Sequence, residues 1–369
     1  MTQLKHPTAP IPDALDTVFR GSIRHPLLWL WDSWTMWDNG ALHLYCLALS
    51  RTAHDGSAIR PPQRNDHGFH VRHFVSTDAG SHWRDLGAVL TPGMAADGAD
   101  QRNVWSGSVT RLADGDIAFG YTGVREMGDD RRFLQTICVG LGSWPGQMDR
   151  PPAAAISCPL RDYDMIRDTG YYLAPKPTLG AAAGEEGGPI LAWRDPFLLE
   201  GNDGTLHAFW SAKTRPIEPA IAHATLVRRG GELVLEKLFP PVTLPDGADF
   251  TQAEVPKVYP DPASGGYLLL ISACSRMFEG QPDSDVRQEQ RLYRAPTLAG
   301  PWVPAMRSGS LVRGLETLFG ASIIAIDRES GAIDIMGPYT ENAGGESQLS
   351  FSAKRTVDLK GLCPSEKSG

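Results

Sequence analysis

Residues 29–40 read WLWDSWTMWDNG, which sets Asp32 among Trp29, Trp31, Trp34 and Trp37. A carboxylate inside so much flat apolar surface must be hydrogen-bonded, paired with a cation, or put to chemical use. Three later stretches also combine acids, arginine and tryptophan: NVWSGSV, with Trp105 and Ser106; AWRDPF, with Arg194 and Asp195; and TQAEVPK, with Gln252 and Glu254. Two carboxyls held about 5–5.5 Å apart perform retaining glycoside transfer, one attacking the anomeric carbon and the other protonating the leaving oxygen. A third can hold sugar hydroxyls through bonds that strengthen as oxocarbenium character develops. The attacking carboxylate must stay ionised, a task for which Arg194 and Ser106 are available. The acid must stay protonated near neutrality, each unit of raised pKa being worth about 1.4 kcal/mol. Tryptophan faces stack on sugar rings and exclude water.

Each stretch alone has a structural reading. Buried acids are usually satisfied by hydrogen bonds, Arg-Asp neighbours often form a salt bridge, and an acid before a proline is ordinary at a strand end. Together the four stretches favour a site, provided that distant parts of the chain converge on one pocket.

The elements available to bring them together are strands. Short runs such as ALHLYCLAL, FHVRHFVS, DIAFGYTG, LQTICVGLG, TLHAFWSA, GYLLLISAC and ASIIAIDR are bounded by turn formers such as ADGD, NDGT and ASGG, with almost no helical periodicity. The 39 glycines and 29 prolines suit dense turns. Ser76 to Trp83 fits S-x-D-x-G-x-x-W, a hairpin box of propeller blades, and APTLAGPW (295–302) follows a strand in a similar way. The expectation is an all-β, single-domain, five-bladed β-propeller with four strands per blade. Residues 1–25 and 360–369 are expected as peripheral tails, and residues 142–188 as a long loop or lid.

Composition bounds the rest. The 369 residues are 41% hydrophobic and 21% charged, with a net charge of −8, which disfavours nucleic acid and anionic membranes as partners. No apolar run of transmembrane length and no signal-peptide pattern are visible, so a cytoplasmic location is expected, with non-classical secretion as the alternative. Cys46, Cys138, Cys158, Cys274 and Cys363 are scattered, without metal or disulfide spacing, and read as free thiols.

The motifs W-D-S-W, W-S-G-S, W-R-D-P and a later glutamate, in this order, resemble those of the levansucrase, inulosucrase and β-fructofuranosidase group, glycoside hydrolase family 68, over residues 27–310. The resemblance implies that Asp32 is the nucleophile, Asp195 the transition-state stabiliser and Glu254 the general acid/base. It also implies that Trp31, Trp105, Ser106 and Arg194 bind the fructosyl ring. Arg276, in the Ser275-Arg276 pair, is a further sugar-binding candidate. Gln252 stands where the family usually has an acid, and Val255-Pro256-Lys257 replaces the arginine that commonly follows the glutamate. These differences touch the leaving-group and acceptor subsites, so Gln252 joins the substrate-binding candidates. The implied activity is hydrolysis or fructosyl transfer on a β-fructofuranoside such as sucrose, without metal or cofactor. A propeller glycosidase for another furanoside or pentoside, an inactive sugar-binding propeller and a sialidase are the alternatives.

Other features read as structural. Trp37, Trp83 and Trp302 are expected in the core. His67, His70 and His73 are spaced so that a strand sends them to alternating faces, away from a common metal. GLGSWPG (140–146) lacks nucleotide-loop spacing. Asp66, Glu185-Glu186 and the DSDVRQEQ stretch are expected as solvated loop charges.

Overall fold

The computed structural model describes residues 9–128, 133–180, 190–278, 281–339 and 348–359, and these build the five blades of a β-propeller from antiparallel strands. Blade 1 runs outward from Leu28–Asp38 through Ala41–Ser50, His70–Ser76 and His82–Leu90 to Val18–Arg20. Blade 2 comprises Asn103–Arg111, Ile117–Glu126 and Phe133–Gly142. Blade 3 comprises Arg194–Glu200, Leu206–Arg215, Glu218–Arg229 and Glu232–Leu238, with Val242–Thr243 paired to the third of these. Blade 4 comprises Gln252–Pro260, Tyr267–Cys274, Gln288–Ala295 and Val303–Pro304, and blade 5 Ser322–Ile326, Ala332–Met336 and Arg355–Asp358.

The expected four strands per blade are thus not uniform. In blade 2 the outer edge is met by isolated bridges, Leu141 to Arg150 and Ile137 to Ser157, and by the Phe133 amide donating to the Gly180 carbonyl. Pro151 and Pro152 lie between these bridges, lack amide donors, and so interrupt a ladder there.

Alternating side chains leave each blade with two apolar faces, and the core is a series of seams between blades. Trp31, Trp34, Val104 and Phe119 fill the seam between blades 1 and 2, and Trp193 and Trp210 that between blades 2 and 3. Phe197, Phe209, Val258 and Ile271 fill the next. Leu268, Leu270, Ile323 and Ile335 join blade 4 to blade 5, and Leu28, Leu30, Ile324 and Met336 join blade 5 to blade 1. The ring is also tied by backbone: Phe351 bridges both Ile23 and Pro338, and the Leu30 amide donates to the Leu349 carbonyl at 2.8 Å.

The expectation of a peripheral N-terminal tail is corrected for residues 9–25. Val18–Arg20 covers the edge of blade 1, and Ile23 and His25 are buried. The buried guanidinium of Arg72 donates to the carbonyls of Pro12 and Asp13 at 2.6 and 2.8 Å. A sheet edge and a five-donor side chain both need partners, and this segment supplies them. Residues 1–8 and 360–369 lie outside the described residues.

The segment after blade 2 is more than a loop. It holds the helix Tyr163–Asp168, and Tyr163, Ile166, Tyr171, Leu173 and Leu179 are buried in the seam between blades 2 and 3. Glu185-Glu186 lies outside the described residues. The hairpin box closes as its residue types require. Ser76 Oγ accepts from the Gly80 amide, Asp78 Oδ1 accepts from the His82 amide, and Trp83 is fully buried beneath. Trp302 is also core, whereas Trp37 is 48% exposed, its indole N–H donating to the Ile324 carbonyl at 2.8 Å.

Cys46, Cys138, Cys158 and Cys274 are free and buried, and Cys363 lies outside the described residues. Part of DSDVRQEQ is strand rather than loop: Gln290 is buried in blade 4, and Glu289 pairs with Arg291 at 2.7 Å. His73 stacks on Tyr45 and hydrogen-bonds His43 at 2.8 Å. Among the described residues no group of His, Cys, Asp and Glu is arranged to hold a metal ion, and no helix is long and apolar enough to cross a membrane.

Candidate active site

The inner strands of blades 1 to 4 each break register at a chemistry-bearing residue. In blade 1 the pairing jumps from Trp31–Leu47 to Ser33–Cys46 and leaves Asp32 unpaired. In blade 2 it jumps from Trp105–Thr122 to Gly107–Tyr121 and leaves Ser106. In blade 3 the jump spans Asp195-Pro196, and in blade 4 it spans Val255-Pro256, directly after Glu254. A bulge of this kind re-aims a side chain out of the alternation of its strand. Asp32, Asp195 and Val255 have φ of 26°, 63° and 47°, a left-handed conformation uncommon outside glycine. Such residues each cost on the order of 1–3 kcal/mol and persist only where the surroundings over-determine them.

The bulge also explains the tryptophan-rich stretch. It inverts strand parity, so Trp31 before it and Trp34 after it both face blade 2, while Ser33, Thr35 and Trp37 face blade 5. Asp32 lies at the inversion and points to neither seam.

Asp32, Asp195 and Glu254 line one cavity of about 740 Å³, together with Trp31, Trp105, Ser106, Arg194 and Arg276. Trp31 is fixed edge-on against Phe69 at a ring distance of 5.0 Å, and Trp105 against Phe133 at 5.4 Å. Arg64, Asn65 and Asp66, from the short turn of helix after blade 1's second strand, also line it, so Asp66 is an exposed wall residue.

Ser106 Oγ donates to Asp32 Oδ2 at 2.7 Å. Asp195 is held by the Val255 amide, 3.0 Å from Oδ2, and by Ser211 Oγ at 3.2 Å, while its own amide donates to Thr122 Oγ1. Arg194 spans two acids, with Nη2 3.1 Å from Glu254 Oε1 and Nε 3.5 Å from Asp195 Oδ2. Cys274 Sγ donates to the same Glu254 oxygen at 3.1 Å. Burial pushes the Asp195 carboxyl up to about 7, with Glu254 and Asp32 adding to the rise and Arg194 opposing it. Burial likewise raises Asp32, against the Ser106 hydrogen bond and the charges of Lys257 and Arg64.

Two expectations change. Arg194, expected to keep Asp32 ionised, pairs with Glu254 and Asp195, and Lys257 and Arg64 are cations that lower Asp32. Gln252, expected at the sugar, does not line the cavity. It is buried beneath Arg194 and accepts from its Nη2 at 3.1 Å, because two residues along the strand from Glu254 is one step deeper on the same face. Arg276 does reach the cavity and donates from Nη1 to the Gln281 carbonyl at 2.9 Å.

The site also involves Lys257, Gly320, Cys274 and Arg64, which no motif in the sequence marks. A lysine inside the otherwise apolar run after Glu254 was a signal for the first. The others carry none, since glycine, cysteine and a loop arginine are common in such settings.

No family model and no curated protein matches the sequence. Among solved structures, the chain is similar to an inulosucrase from Halalkalicoccus jeotgali bound to kestose, with a TM-score of 0.62 and 17% identity over 96% of this chain and 90% of that one. A doubly substituted levansucrase from Bacillus subtilis in complex with oligosaccharides gives 0.61 and 15% over 96% and 89%. A variant levansucrase from B. megaterium gives 0.57 and 16% over 91% and 84%. At this identity the likeness establishes a shared five-bladed fold.

Proposed function

We propose that the protein is a retaining enzyme that cleaves a β-fructofuranoside such as sucrose and passes the fructosyl group to water or to another sugar. The observation that carries this reading is the meeting of Asp32, Asp195 and Glu254, from blades 1, 3 and 4, in one cavity walled by Trp31 and Trp105. The similar folds bound to kestose and oligosaccharides support the substrate class.

In the first step a carboxylate oxygen of Asp32 attacks the anomeric carbon while Glu254 gives its proton to the departing oxygen, leaving a fructosyl ester on Asp32. In the second step Glu254 takes a proton from water or a sugar hydroxyl, whose oxygen displaces Asp32. Ser106 stabilises the negative charge on Asp32 before attack and after release. Asp195 holds ring hydroxyls as positive charge develops. The chemistry needs no metal or organic cofactor.

The test is incubation with sucrose, raffinose and short fructans, with released glucose, fructose and oligomers resolved and the product anomer followed by NMR. Release of glucose with retention is expected, and glucose in excess of free fructose identifies transfer. An inverted anomer would remove the covalent intermediate, and sugar binding without turnover would leave a lectin-like propeller.

A further inference from the structure

Lys257 has no part in the steps above, yet it is buried directly under them. It is 1% exposed, and Nζ donates to the Ala321 carbonyl at 2.6 Å and approaches that of Gly320 at 3.4 Å. The Gly320 carbonyl also accepts from the amide and hydroxyl of Ser33, each at 3.0 Å, and the Gly320 amide donates to Ser272 Oγ at 2.8 Å. Gly320 is pressed against the putting-out point of Asp32: a Cβ there would lie 2.6 Å from Asp32 Oδ1 and 2.7 Å from its Cα. The ammonium of blade 4 therefore grips the backbone just before the first strand of blade 5, which backs Asp32 in blade 1.

We infer that Lys257 is a positioning residue for Asp32, fixing it through Gly320 and adding a buried positive charge that acts on the acids. This rests on the reading of Asp32 as the nucleophile. The charges bear it out in kind. Asp32 and Asp195 hold the Lys257 proton on, against burial, which pushes the ammonium down to about 7. Lys257 in turn lowers Asp32, which Glu254 raises. Of the other cations at the site, Arg194 is engaged with Glu254 and Asp195, and Arg64 acts from the cavity wall. A lone buried ammonium is unfavourable, and so is a buried acid cluster; within one buried region each offsets part of the other's cost.

The experiment is a double-mutant cycle of Lys257→Met and Asp32→Asn, read by thermal denaturation at pH 6, with kinetics on the Lys257→Met protein. The expected result is that Lys257→Met lowers Tm in the wild-type background and lowers it less, or raises it, beside Asp32→Asn. Turnover falls about tenfold or more with KM little changed, and the acid limb of the rate profile moves to higher pH because Asp32 is harder to ionise. Equal Tm changes in both backgrounds, or an unaltered kcat and acid limb, would overturn the inference. Should Lys257→Met not fold alone, the pair with Asp32→Asn is expected to fold, and its failure counts against the inference. The Tm cycle needs no substrate, so it decides the matter even if no fructoside is turned over, an outcome that touches only the proposed function.

Discussion

Ser106 and Asp32 are 74 residues apart in sequence, and their side chains meet in a 2.7 Å hydrogen bond across the seam between blades 1 and 2. Each sits where its strand loses register, so two local defects produce one contact. The bond favours the ionised carboxylate, and it opposes burial, which otherwise raises Asp32. Ser106→Ala is expected to reduce kcat by roughly ten- to a hundredfold and to move the acid limb of the rate profile to higher pH, a charge-assisted bond being worth about 1.5–3 kcal/mol. A pH–rate profile unchanged from wild type would count against it.

Asp32→Ala and Glu254→Gln are each expected to reduce turnover by several orders of magnitude in a protein that still folds by circular dichroism. The two differ in kind. Glu254→Gln should retain the first step on a fructoside with an activated aryl leaving group, which needs no proton, giving a burst and trapped fructosyl ester detectable by intact mass. Asp32→Ala should form no such ester, and near-native activity in either variant would refute the assignment.

Arg194 joins Glu254 and Asp195 through different nitrogens of one rigid fork, and Gln252 and the Leu191 carbonyl hold that fork from below. Lysine has the charge but not the fork. Arg194→Lys is therefore expected to reduce kcat/KM about a hundredfold, on the order of 3 kcal/mol, with a folded protein by circular dichroism. Retention of kcat/KM would show that charge alone suffices.

Gly320 has φ of +67° and no room for a Cβ beside Asp32. Gly320→Ala should force Asp32 to shift, so activity falls more steeply than stability. Comparison of kcat with Tm checks this; full activity would mean that the contact relaxes freely.

The pH dependence of stability has a defined sign. Asp195 titrates near 3.8 when unfolded and is pushed up to about 7 when folded, so between these values the folded state binds the extra proton. This group's contribution to stability falls as pH rises from about 4 through about 7, and Asp32, also raised, acts in the same direction. Thermal denaturation across that range should show a smaller fall for Asp195→Asn than for wild type. Parallel curves would mean that Asp195 is not the group responsible.

The sequence by itself determined the strands, the turns and the identity of the three acids. Those are properties of short windows: the aliphatic and aromatic run ALHLYCLAL, turn chemistry in STDAGSHW, and residue types in WDSW, WRDP and QAEVPK. It could not determine which side chains meet, because that depends on strands slipping register by one or two residues. A bulge at Asp32 has no signature in residue type, yet it decides that Trp31 and Trp34 share a face and that Asp32 faces the cavity. The same slip in blade 4 brings Lys257 onto the face of the strand that Glu254 occupies, and Gln252, before the slip, supports Arg194 instead of touching sugar. Charge pairing was equally hidden. Coulomb energy depends on distance through the fold, and only the assembled ring gave Arg194 to Glu254 and Asp195 and set Lys257 against the Gly320 and Ala321 carbonyls behind Asp32.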